Sequence, residues 1–146
     1  MENYTLQELQ TLILNWADER DLLHLKNAPK QQLKLISECG ELADAILAQD
    51  VFKQKDGIGD IFVVTVILSK QLVEDYDFFT CPFASDYPIH KLIEKLITEE
   101  RNKFDKLNSI CELLELDLVE CCNIAWNEIK NRKGKTINGT FIKDEN

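Results

Sequence analysis

Leu6, Leu9, Leu12, Ile13 and Trp16 recur every three to four residues with Glu, Gln and Asn between them, a spacing that predicts an amphipathic helix. Thr5 can cap its start, and the pattern fades from Asp18 to Asp21. A connector over residues 22–28 leads to Pro29, which suits the first turn of a second helix. That helix carries a stripe of Leu33, Ile36, Cys39, Leu42, Ala43 and Ile46. After a bend, QDVFKQKDG, a third segment starts near Lys55 and runs past Leu72. Its centre, IFVVTVIL, would also suit a buried strand. Its flanks extend it to helical length and no partner strand is evident, so a helix is expected. Being apolar on all sides, it belongs at the centre of a bundle or in an oligomer interface.

Residues 75–88, with two prolines and several aromatics, read as a loop. Apolar residues from Ile89 to Leu114 then mark a fourth helix, with a break near Asn102 or Asn108. Asp117 can cap a last helix with Leu118, Cys122, Ala125 and Ile129 inward and Asn123, Asn127 and Lys130 outward. Alternation around Asn138-Gly139 signals a short hairpin, either an arm packing on a neighbouring subunit or a frayed end. The predicted fold is all-α, a single domain over residues 1–146. It forms an antiparallel bundle of four to five helices with a short C-terminal tail that can be a β-hairpin.

Composition supports this reading. Five glycines and three prolines in 146 residues leave room for long helices rather than many turns. A net charge of −9 argues against nucleic acid as a partner. The N-terminus lacks the basic and apolar regions of a signal peptide. The apolar run from Ile61 to Leu68 is far too short to span a bilayer, so a soluble, cytoplasmic protein without a membrane partner is expected. Cysteines at 39, 81, 111, 121 and 122 form no CxxC pair and are odd in number, which points to buried free thiols.

The candidate chemistry lies in residues 34–68. Glu38 and Glu41 share one helix face and Asp56 and Asp60 another. If the two helices fold back on each other, four carboxylates converge. Uncompensated, some of them must take up protons. A divalent cation removes that cost, and ligation by oxygen alone favours Mg²⁺, with Mn²⁺ as a substitute, over zinc.

The segments SECGE (residues 37–41), GIGD (residues 57–60) and the ending AWNEIKNRKGKTINGTFIK together resemble the MazG-like all-α nucleoside triphosphate pyrophosphohydrolases. That family is marked by E-E-x-x-E on one helix and E-x-x-D on the next. Ser37 stands where its first Glu is usual and Gly57 where the Glu of E-x-x-D is usual; Asp56, one turn from Asp60, could take over as ligand. The resemblance implies hydrolysis of a nucleoside triphosphate to the monophosphate and pyrophosphate, dependent on Mg²⁺, in a homodimer or homotetramer. It implies Glu38, Glu41, Asp56 and Asp60 as metal ligands, with Glu38 or Glu41 orienting the attacking water as catalytic residue. Lys130, Arg132 and Lys133, helped by Asn127, would grip the phosphates, and Trp16 is the natural candidate to stack on the base.

Plainer roles stand beside these. Each acid alone suits a solvated helix position, and Trp16 suits the core. The basic residues near the end of the last helix, Lys135 included, also complement its negative pole. A di-iron bundle is excluded, because neither His24 nor His90 follows a Glu at the Glu-x-x-His spacing. Ser37 and Gly57 keep a second function open: a catalytically reduced oligomerisation or nucleotide-binding regulatory protein.

Overall fold

A computed structural model describes residues 3–72 and 86–144. Six helices are present among them: α1 (Leu6–Glu19), α2 (Ala28–Leu47), α3 (Val51–Gln71), α4 (Ile89–Thr98), α5 (Lys103–Leu114) and α6 (Leu118–Ile129). A hairpin of β1 (Gly134–Ile137) and β2 (Thr140–Lys143) closes the chain. The expected fourth helix is broken at Asn102, whose left-handed backbone (φ 60°) no helix continues through, so the count rises to six. Most of the expected loop over residues 75–88, including Cys81, lies outside the described residues.

Local chemistry explains the element starts. Thr5 and Glu8 form a reciprocal cap on α1, with Thr5 Oγ1 accepting from the Glu8 N–H at 3.2 Å and Glu8 accepting from the Thr5 N–H at 3.0 Å. Asp50 accepts from the Lys53 N–H at 3.1 Å and starts α3 four residues before the expected Lys55. The reversal therefore needs only residues 48–50, with Gln49 at φ 54°. Most of the QDVFKQKDG bend is the first two turns of α3.

α3 is the axis of the fold. It is helical through IFVVTVIL and buried at every position from Ile61 to Ser69, packed on by α1, α2, α5 and α6. Its apolar surface is thus covered within one chain. The stripe of α2 is rotated from the expected one: Gln31, Leu35, Cys39, Leu42 and Ala45 face inward, while Leu33 and Ile36 are exposed. On α6 the expected inward residues are buried, but so is Asn123, expected outside. Its side-chain amide pairs with the Tyr4 backbone, accepting at 2.8 Å and donating at 2.9 Å, which ties α6 to the start of α1.

The hairpin packs on its own chain. Arg20 donates to the Arg132 carbonyl at 2.7 Å, Thr136 donates to the Arg20 carbonyl at 2.6 Å, and the Phe141 ring meets Trp16 edge-on at 4.8 Å. Asn138 and Gly139 both have positive φ, as a tight two-residue hairpin turn requires. The four described cysteines are buried and unpaired.

Candidate active site

The short α2–α3 turn brings Glu38 and Glu41 of α2 against Asp60 of α3, and one carboxylate oxygen from each lies within 4.8 Å of the others. Burial pushes the Glu38 carboxyl up to about 7, reinforced by the charges of Asp60 and Glu41 and a hydrogen bond from Glu41; Lys34 acts the other way. Burial, then Asp56 and Glu128, push Asp60 up to about 7, with Arg132 opposing. Three of the four carboxylates expected to converge lie together, and without a cation Glu38 and Asp60 would hold their protons to higher pH than usual.

The donor set fits a hard divalent ion. Glu38 Oε2 and Asp56 Oδ1 are buried with no hydrogen-bond partner, an arrangement that costs energy unless a cation occupies it. Cys39, between the two glutamates, is turned into the core and burial holds its thiol up at about 12, so it offers no thiolate. Oxygen donors remain, which suits Mg²⁺ or Mn²⁺. Glu38, Glu41 and Asp60 would hold the ion, with Asp56 beside them.

Two residues at the acids were not anticipated from sequence as site residues. Glu128 of α6 shares a hydrogen bond with the Asp56 carboxyl and bears on Asp60. Nothing local marks it among the many acidic residues. Asp44 joins Glu41, Asp56 and Asp60 in lining an open cleft of about 460 Å³, with Lys53 at its wall. Its signal was legible, since Glu41 and Asp44 repeat the spacing of Glu38 and Glu41.

On the other side of Glu38 and Asp60 lies an apolar slot of about 110 Å³. Trp16, Gln31, Val64 and Phe141 line it, and Lys34 and Arg132 stand with the two acids. One face of the Trp16 ring is covered by the Arg20 guanidinium at 4.3 Å, and its indole N–H is buried without a partner.

The MazG nucleotide pyrophosphohydrolase domain family matches residues 29–104, just over half the chain. This protein belongs to that family. It is also 44% identical over 69 residues to an uncharacterized 18.2 kDa protein in the rep-hol intergenic region of Haemophilus phage HP1. That match spans 45% of this chain and 42% of the phage protein. No solved structure matches.

Within this MazG domain the two motif departures sit differently. Ser37 is exposed on α2. Gly57 is buried, and a Cβ there would lie 3.4 Å from Leu42, an approach α2 can accommodate. Of the basic residues named from sequence, Arg132 shares the slot with the acids. Lys130 donates to Asn127 at 2.9 Å, and Asn127 donates to the Asn123 carbonyl at 2.9 Å; this pair and exposed Lys133 line neither cavity. No described helix is long and apolar enough to cross a membrane.

Proposed function

We propose that this MazG protein is a Mg²⁺-dependent nucleoside triphosphate pyrophosphohydrolase that cleaves a (d)NTP to the monophosphate and pyrophosphate, a chemistry suited to clearing non-canonical nucleotides. The observation that carries the reading is the convergence of Glu38, Glu41 and Asp60, with buried carboxylate oxygens left unpartnered at Glu38 and Asp56. Mg²⁺ supplies charge neutralisation on the non-bridging phosphate oxygens and a lowered pKa for the attacking water.

The chain's own residues do the rest. Water adds in line at the α–β bridge, the bridging P–O bond breaks, and the pyrophosphate leaves with the electron pair. Glu38 or Glu41 orients that water and accepts its proton. Lys34, Arg132 and Lys53 are the cations lining the two cavities beside the acids, so they meet charge building on the phosphates. Lys130 and Lys133, with Asn127, add polar reach at the same end of α6. The slot beside Glu38 is the seat for the base. Trp16 serves it with its indole N–H and ring edge, because Arg20 occupies one face.

Exposed Leu47, Val51 and Phe52 at the α2–α3 turn support a homodimer or homotetramer, as contiguous apolar surface of this kind marks an interface. Ser37 and Gly57 favour a second reading, a catalytically reduced oligomerisation or nucleotide-binding regulatory protein. Pyrophosphate release from standard and modified NTPs, with and without Mg²⁺, tests both. Turnover that needs Mg²⁺ is expected; no turnover of any nucleotide would leave the second reading.

A further inference from the structure

Arg132 stands with Lys34, Glu38 and Asp60 at the slot, yet it lies past the end of α6, in the short connector to β1 where no regular structure holds it. Its guanidinium makes no hydrogen bond or ion pair among the described residues. Its place therefore depends on its backbone. The Arg132 N–H donates to the Ile129 carbonyl at 2.9 Å, and the Arg132 carbonyl accepts from Arg20 Nη2 at 2.7 Å. Arg20 Nη1 donates to the Trp16 carbonyl at 2.9 Å, and the guanidinium carbon lies 4.3 Å from the centre of the Trp16 ring and 5.8 Å from that of Phe141. The Arg20 carbonyl in turn accepts from the Thr136 hydroxyl of β1 at 2.6 Å. Glu19, the carboxylate at 3.7 Å from Arg20, is 76% exposed and holds it little. The fork of Arg20 is thus committed to two backbone carbonyls and to the aromatic rings that wall the slot.

We propose that Arg20 is a positioning residue for phosphate binding: it fixes the α6–β1 connector so that the Arg132 guanidinium meets the triphosphate beside Glu38 and Asp60. The proposal rests on the reading that Arg132 meets the phosphates. Arg20 does not itself line the slot, so it acts through Arg132 and not by touching the substrate. An arginine suits the task, because its planar fork bridges two carbonyls while stacking on a ring, which a lysine cannot do. Without that bridge the backbone of Arg132 is held by the Ile129 carbonyl alone, and its long side chain loses a fixed origin. A small displacement of a binding group costs disproportionately.

The test is calorimetric titration of the full chain with inorganic triphosphate in the presence of Mg²⁺, a probe that does not depend on which base the slot takes. Arg20→Ala should weaken binding about tenfold, the scale of one hydrogen bond to a charged group, and Arg20→Lys should weaken it as much. In an Arg132→Ala background the backbone carbonyl remains but the guanidinium is gone. There, adding Arg20→Ala should change the affinity by less than about threefold. The fall in melting temperature caused by Arg20→Ala should be the same in both backgrounds, since Trp16, Phe141 and the carbonyl of residue 132 persist. If Arg20→Ala does not fold, Arg20→Lys carries the same cycle. Equal losses of affinity in both backgrounds would overturn the proposal in favour of a general structural role. Wild-type affinity in Arg20→Ala, or in Arg20→Lys where charge alone survives, would overturn it too. Wild-type affinity in Arg132→Ala would overturn it together with the phosphate role of Arg132, leaving the hydrolase reading intact. A wild-type chain that binds no triphosphate would also overturn it, whereas the hydrolase reading falls only if no nucleotide is turned over.

Discussion

Gly59 and Cys121 are in backbone contact: α6 approaches α3 so closely that any side chain at 59 would strike the Cys121 carbonyl. Both the order of the bundle and the position of the acids Asp56, Asp60 and Glu128 depend on that approach. Gly59→Ala would gain helix propensity of about 1 kcal/mol, yet the obstacle is backbone and cannot swing away. Overpacking should win, with a net loss of about 1–3 kcal/mol read by chemical denaturation. A variant as stable as wild type would show that α6 can shift freely.

Asp60 is the acid where influences from all three helices meet: burial raises it most, and the charges of Asp56, Glu128 and Glu41 add to that. Asp60→Asn, and likewise Glu41→Gln, should reduce pyrophosphate release roughly a hundredfold or more by removing a ligand or the base. Neither should unfold the protein, since each removes one negative charge from a crowded cluster. Circular dichroism melts alongside the assay check both halves. Unaltered turnover in the two variants would refute the site.

The same crowding sets a pH dependence. Glu38 and Asp60 are both raised to about 7 in the fold, above their ordinary values of 4.5 and 3.8. A raised acid keeps its proton in the native state where the unfolded chain has lost it. Its contribution to stability is therefore full below the ordinary value and lost as pH rises through about 7. The metal-free protein should melt at progressively lower temperature between pH 5 and pH 8, the slope being shallower in Asp60→Asn. Mg²⁺ should raise the melting temperature more at pH 8 than at pH 5, where protons compete for the same oxygens. Scanning calorimetry at the two pH values, with and without Mg²⁺, measures this directly.

Phe52 and Leu47 are 75% and 83% exposed at the α2–α3 turn, an uncommon setting for large apolar side chains. If this corner is covered by a second copy, Phe52→Glu together with Leu47→Glu should shift the protein to monomer in light scattering without loss of helix. An unchanged mass would place the interface elsewhere.

Much was legible without coordinates because it depends on near neighbours. Helical periodicity, the Thr5 and Asp117 caps and the Asn138-Gly139 turn act over a few residues, so the chain declares them locally. The spacings of Glu38 with Glu41 and Asp56 with Asp60 are fixed by the helical repeat in the same way. Tertiary packing decided the rest. It turned α2 so that Leu33 and Ile36 face out and Gln31 and Leu35 face in, because the buried stripe follows the partner helix as well as apolarity. It buried Asn123 against the Tyr4 backbone. It brought Glu128 from a distant helix to Asp56, through a contact that only a glycine at 59 permits. A repeat of 3.6 residues says which side chains on one helix point together; what stands opposite them depends on how closely two backbones can approach.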